Sequence, residues 1–278
     1  MPDLLKAAIL GIVQGLTEFL PVSSTGHLVL LEKAFGLSQD RLGLPFDAAL
    51  HLGTLIAILA FFWATILRMV GAWLASIRER RWDLTTDSRL AWLIAIGTVP
   101  AGVIGFFFES TIEEKLRQPL TVAAMLVVFG GVLVLAELLG SRKLRATQLG
   151  AGSALFVGLA QAIALIPGVS RSGITMSAGM FAKLEREQAA VFAFLLSAPI
   201  VAGAGLKGLY DALKNAHDGL LGREDFAFFF VGFALAAITG YFTIGVLLRF
   251  LRQHSFYPFV AYRLGLAIVV VAVVLATL

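Results

Sequence analysis

Two apolar stretches of this chain, offset by 147 residues, are interrupted in the same way. The first reads Gly11-Ile-Val-Gln14-Gly-Leu-Thr-Glu18-Phe-Leu-Pro21-Val-Ser23-Ser24-Thr25-Gly26-His27. The second reads Gly158-Leu-Ala-Gln161-Ala-Ile-Ala-Leu165-Ile-Pro167-Gly168-Val169-Ser170-Arg171-Ser172-Gly173-Ile174. Superimposed without a gap, they agree at Gly11/Gly158, Gln14/Gln161, Val22/Val169, Ser23/Ser170 and Gly26/Gly173. Each begins apolar, breaks at proline and continues through hydroxyls and glycine. Each also places ionisable groups where hydrocarbon would lie: Glu18 and His27 in the first, Arg171 in the second. Broken helices at corresponding positions of two halves point to a site at the repeat interface.

Composition decides which medium these segments sit in. The 278 residues are 59% hydrophobic and 14% charged, with mean hydropathy +0.89. A soluble domain carries about 25% charged residues, so a water-soluble globule is excluded. No basic segment with a small-residue cleavage site precedes the first apolar run, and all the runs are expected to stay as an integral membrane protein. Cysteine is absent, which removes disulfides and thiolate metal sites. The net charge is +4 and the pI about 9.6. The basic residues fall in short loops, where they set orientation, and no nucleic-acid partner is expected.

A spanning helix needs about 20 mostly apolar residues. Six stretches qualify, near 46–67, 89–108, 119–139, 188–209, 226–248 and 259–278. The regions 3–35 and 150–182 are apolar but broken, and each arm is too short to cross comfortably. Each reads as a re-entrant hairpin whose turn must line a cavity, because unpaired backbone at that depth cannot face lipid. The expected fold is an all-α polytopic membrane protein, a single membrane domain over 1–278. It is built as an inverted-topology repeat, about 1–140 and about 150–278. Each half is one re-entrant helical hairpin plus three transmembrane helices. With that count, one set of loops holds twelve Lys and Arg and the other five. The richer side, with Arg78, Arg80, Arg81, Arg142, Arg145 and Lys183 among its members, is expected to be cytoplasmic. Loop residues Glu109, Glu113 and Glu114 are expected on the outer side. Trp63, Trp73, Trp82 and Trp92 are expected near one interface.

The polar residues in the broken segments carry the chemistry. A carboxylate at a helix end within the bilayer is costly and needs a partner. Gln14 and Glu18 share a helix face, and His27 begins the returning helix. Ser23, Ser24 and Thr25 can simply cap the backbone. Ser24 with His27 three residues on also fits a nucleophile–base pair, with Glu18 as the orienting member. Arg171 stands at a helix start, where free N–H groups and the helix dipole favour an anion, and its fork matches phosphate oxygens. Ser170, Ser172 and Thr175 would add hydrogen bonds to the same oxygens. His51, in a span, reads more simply as a satisfied structural group than as a cavity lining. No metal constellation stands out, so the metal ligands are unknown; an Mg²⁺ or Ca²⁺ ion held by Glu18 through water and substrate phosphate is a candidate cofactor.

Gln14 to His27, together with Pro167-Gly-Val-Ser-Arg171-Ser-Gly-Ile-Thr175, resembles the undecaprenyl-diphosphate phosphatase family, also called the bacitracin-resistance family. The resemblance covers the whole chain. It implies a multi-pass bacterial inner-membrane enzyme, its active site facing the periplasm, that removes the terminal phosphate of a polyprenyl diphosphate lipid. The product is the monophosphate carrier for peptidoglycan synthesis. By resemblance the acidic pair falls on Gln14 and Glu18, the motif serine on Ser24, the histidine on His27 and the phosphate-holding arginine on Arg171. Gln14 carries no charge, which weakens any mechanism that needs two carboxylates. Membrane lipid is the surrounding partner, and a second copy of the chain is a candidate one. The alternative reading is a transporter or flippase for an anionic lipid head group, since midplane helix breaks also build transporters.

Overall fold

A computed structural model describes residues 3–37, 44–116, 118–217 and 221–276. Helix α1 (Asp3–Thr17) stops just before Glu18, and α2 (Ser24–Phe35) leaves the break. Helix α7 (Ala151–Ile163) and α8 (Arg171–Phe181) repeat the pattern. Proline ends each first arm, because it has no N–H to donate and pushes the preceding residue out of the helical region. At the far end of both breaks a serine takes a left-handed backbone, Ser23 at φ 72° and Ser170 at φ 73°. A non-glycine residue held there costs about 1–3 kcal/mol and persists only where its surroundings fix it.

The other elements are α3 (Leu44–Phe61), α4 (Trp63–Arg78), α5 (Thr86–Leu116), α6 (Pro119–Leu139), α9 (Arg186–His217), α10 (Arg223–Leu251) and α11 (Tyr257–Ala276). Five of them, α5, α6, α9, α10 and α11, are long and apolar enough to cross a membrane, and the pair α3–α4 brings the number to six. The first expected span, 46–67, is not straight. The chain bends by 80° between α3 and α4, at Phe62. Within α4 and α5, Trp73 and Trp92 meet edge to face at 5.7 Å, and the Trp92 indole donates to Ser76 Oγ. The expected outer loop at 109–118 is helical over 109–116, the last part of α5. Arg41 and Arg117 lie outside the described residues.

The surface is apolar where it must face lipid. Phe106 and Ile268 are 84% and 70% exposed, which a water-facing surface would not tolerate as part of so large an apolar patch.

Loop contacts fix how the hairpins enter. The segment before α7 and the one after α8 touch, since Leu144 N and Lys143 N both donate to Lys183 O. Helices α7 and α8 therefore enter and leave by the same face. On that face Arg186 forks onto Glu137 at 2.7 and 2.8 Å, and Arg252 onto Glu187. Glu137 also accepts from Phe256 N and from Arg142. The first hairpin opens the other way. Ala7 of α1 and Leu31 and Phe35 of α2 pack in one cluster with Phe46, Ala212 and Phe228, which lie at the opposite ends of α3, α9 and α10. Helix α1 packs on α10, α7 on α5, α3 on α9 and α6 on α11. Both hairpin contacts are backbone-close: a Cβ on Gly11 would lie 2.5 Å from Gly232 O, and one on Gly158 would collide with Gly97 O. Small residues at such crossings replace the hydrophobic drive that lipid removes.

Candidate active site

The two breaks meet. Ser172 Oγ donates to Leu20 O at 2.9 Å, and Arg171 Nη1 stands 3.7 Å from Glu18 Oε1. Glu18 is the hub. Its Oε2 accepts from Ser24 Oγ at 2.7 Å and from Gln14 Nε2 at 3.2 Å, and faces His51 Nε2 at 3.7 Å. An ionised carboxylate only accepts, so this crowd of donors suits a charged Glu18. The Gln14 amide oxygen is buried and has no hydrogen-bond partner.

Helices α2 and α8 both begin at this point, so two positive dipole ends and their free N–H groups converge. Ser170 caps α8 by accepting from Gly173 N. Glu18, Ser23, Ser24, Thr25, Ser170 and Arg171 line a chamber of about 30 Å³. Thr25, His51, Ala164 and Arg171 belong also to the wall of a vestibule of about 230 Å³, whose rim carries Asp47, Lys207 and Asp211. These rim residues lie near the start of α3 and toward the end of α9, away from the face that holds Glu137 and Arg186.

The expected site residues divide into two groups. Glu18, Ser24 and Arg171 come together, with Gln14 braced behind Glu18. His27 does not join them. Its Nδ1 contacts the Ser23 carbonyl at 2.8 Å and its Nε2 contacts Tyr262 Oη at 2.7 Å. A carbonyl only accepts, so Nδ1 carries a proton, and a neutral ring then receives the Tyr262 hydroxyl at Nε2. The rings of His27 and Tyr262 stack at 5.5 Å. The Ser24 hydroxyl thus meets Glu18 and not the imidazole expected for it. One turn of α2 separates Ser24 from His27 and carries the ring to α11. Ser172 and Thr175 also spend their hydroxyl protons on backbone, on Leu20 O and Arg171 O. They brace the junction and do not point a donor at an anion.

Two neighbours escaped the sequence reading. His51, expected as a satisfied structural group, stands against Glu18. Arg263 of α11 is 0% exposed. It donates to Pro21 O (3.3 Å) in the first break, to Gly168 O (3.1 Å) and Val169 O (3.2 Å) in the second, and to Met125 O and Leu126 O of α6. One rigid fork of donors thus ties both breaks to α6, and each of these acceptors is a backbone carbonyl. The signal was available: a lone arginine inside an apolar run of 20 residues is a functional flag in itself.

No group of three or more His, Asp or Glu arranged to hold a metal occurs among the described residues. The donors at the hub are nevertheless hard oxygens. Only one carboxylate lines the chamber, and its oxygens already face Ser24, Gln14, His51 and Arg171. The Gln14 amide oxygen is absent from the chamber wall, so the described residues do not form a direct ligand set for an Mg²⁺ or Ca²⁺ ion.

Known proteins resemble this one along its whole length. Residues 7–269 match the sequence profile of the family described as bacitracin resistance protein BacA. An undecaprenyl-diphosphatase of Rubrobacter xylanophilus is 46% identical over 275 residues, 99% of this chain and 100% of that protein. Undecaprenyl-diphosphatases of Desulforudis audaxviator and Thermodesulfovibrio yellowstonii are each 44% identical, over 96% and 97% of this chain and 97% of each relative.

Proposed function

The chain belongs to the bacitracin resistance protein BacA family, and from that premise we propose that it is a multi-pass membrane undecaprenyl-diphosphatase. It hydrolyses undecaprenyl diphosphate to undecaprenyl phosphate and inorganic phosphate, which returns the lipid carrier to cell-wall synthesis. The observation that carries this reading is the meeting of Glu18, Ser24 and Arg171 at one small chamber between two helix N-termini. A pure anion carrier has no use for a carboxylate beside its cargo, so the same observation disfavours a flippase.

Phosphoryl transfer needs mainly positioning and charge neutralisation. Arg171 and the free amides of α2 and α8 hold the terminal phosphate and stabilise charge as it spreads in the transition state. Ser24 Oγ attacks the terminal phosphorus while its proton passes to Glu18. The bond from that phosphorus to the bridging oxygen breaks, and undecaprenyl phosphate departs. Glu18 gives up that proton and then deprotonates a water, whose oxygen attacks the phosphoserine phosphorus. The P–Oγ bond breaks, inorganic phosphate departs, and the Ser24 alkoxide takes the new proton back from Glu18. The 2.7 Å Ser24–Glu18 hydrogen bond favours this route over direct attack by water. With Gln14 neutral, Glu18 is the sole carboxylate of the pair. An Mg²⁺ or Ca²⁺ ion brought in with the substrate through phosphate and water would supply further neutralisation of phosphate charge.

The helix pairings and the matched Gly11 and Gly158 crossings support an inverted repeat with halves at about 1–140 and 150–278. The sequence bias of twelve Lys and Arg between the expected spans on one side against five on the other supports a cytoplasmic face at Glu137 and a vestibule open to the periplasm of a bacterial inner membrane.

The test is phosphate release from undecaprenyl diphosphate by the purified protein in detergent, where no gradient exists, with and without chelator. Release is expected, and its absence overturns the enzyme reading. A trapped phosphoserine at Ser24 is the expected intermediate; full turnover by Ser24→Ala overturns the covalent route and leaves water as the nucleophile.

A further inference from the structure

Hydrolysis of the diphosphate leaves Glu18 holding a proton that must depart before it can act as a base again. Glu18 is poorly placed to lose it: its side chain is 9% exposed, and it lines the inner chamber but not the vestibule. Four residues line both spaces, namely Thr25, His51, Ala164 and Arg171. An alanine has no proton to exchange, a hydroxyl is too weak a base, and an arginine stays protonated throughout. His51 is the remaining one. Its side chain is 24% exposed, and its Nε2 stands 3.7 Å from the Glu18 oxygen that accepts the Ser24 hydroxyl.

The ring is also set in the required tautomer. His51 Nδ1 contacts Asp47 O at 2.8 Å. Because that carbonyl can only accept, Nδ1 carries a proton and a neutral ring keeps its lone pair at Nε2, toward Glu18. His27, the other histidine of the region, has Nε2 occupied by Tyr262. We propose that His51 is the proton relay of the site, taking the proton that Glu18 removes from Ser24 or from water and passing it to water in the vestibule.

Atoms balance in each step. The O–H bond of Glu18 breaks as an N–H bond forms at His51 Nε2, giving an imidazolium beside a regenerated carboxylate. The imidazolium then loses that proton to vestibule water, and the cycle releases it with inorganic phosphate. His51 acts through Glu18 and is a positioning and relay residue. The charged groups around it are Glu18 in the first break, Arg171 on α8, Lys207 and Asp211 on α9, and Asp47 on its own helix.

This inference rests on the diphosphatase reading, and the experiment separates the two. Phosphate release from undecaprenyl diphosphate is measured across pH for the wild type, His51→Gln and His51→Ala, the last also with added imidazole. The expected result for His51→Gln is a kcat about 10²-fold lower at nearly unchanged KM. Added imidazole should restore much of the activity of His51→Ala, because the vestibule admits it; a purely structural histidine would not be replaced by a free base. Wild-type kcat in His51→Gln, or a folded His51→Ala that imidazole does not restore, overturns the relay. A wild type that releases no phosphate overturns instead the reading on which the relay rests.

Discussion

The two helix breaks share a backbone and differ in chemistry. Both end in a left-handed serine, and both lead into a helix whose N-terminus faces the chamber. The first break carries Glu18 where the second has Leu165, and the second carries Arg171 where the first has Ser24. The glutamines diverge as well. Gln14 donates to Glu18, whereas both amide atoms of Gln161 are buried without a hydrogen-bond partner. On the proposed mechanism the same scaffold, used twice, supplies acid–base chemistry from one copy and anion binding from the other. Self-similarity thus fixes where the helices break, and the residues that violate it do the work.

Substitutions can break that asymmetry, and the largest effect belongs to the first break. Glu18→Gln keeps the size and removes the base; kcat is expected to fall about 10³-fold or more, within the span general bases supply. A kcat within tenfold of wild type in the detergent phosphate assay would place the base elsewhere. Next comes the second break. Arg171→Lys keeps a charge and loses the fork, and kcat/KM should fall about 10²-fold, comparable to losing one transition-state donor. Near-normal kcat/KM would mean that Arg171 is not the phosphate clamp. Smaller effects test the shared frame. Gly158→Ala drives a methyl into Gly97 O, and overpacking of this kind costs about 1–3 kcal/mol. Its thermal midpoint in detergent should drop and Gly11→Ala should behave alike; an unchanged midpoint in both would remove the close crossings as a common device. The smallest effect is expected at the idle glutamine. Replacing an unpartnered buried amide with an apolar group of similar shape is near neutral or stabilising. Gln161→Met should therefore hold or raise the midpoint with activity intact, while Gln14→Met lowers kcat by loosening Glu18. Equal losses in the two variants would show that Gln161 has a function of its own.

Much of the architecture was legible because lipid imposes simple rules. Runs of about 20 apolar residues read as spans, and Pro21 and Pro167 mark the breaks without any structure. The bend at Phe62 was not legible. Phe61-Phe62-Trp63 continues the apolar pattern, and hydropathy carries no direction. The hub was half visible. Glu18, Ser24 and Arg171 stood out as polar groups among apolar ones, and they meet.

The amino-acid order by itself determined an all-helical membrane protein interrupted twice, with an acid in one interruption and a guanidinium in the other. These follow from local rules: proline's missing donor, glycine's lack of a Cβ, and the cost of charge in hydrocarbon. Only the tertiary structure decided which histidine stands against Glu18. His27 is nine residues away along the chain and turns to Tyr262, whereas His51 is 33 residues away and arrives from another helix. It also decided that Arg263, 242 residues from Pro21, ties both breaks together. Spacing along a chain says which residues share one helix face. Which faces meet is set by how helices cross, and that depends on glycine contacts such as Gly11 with Gly232 that join residues far apart in the chain.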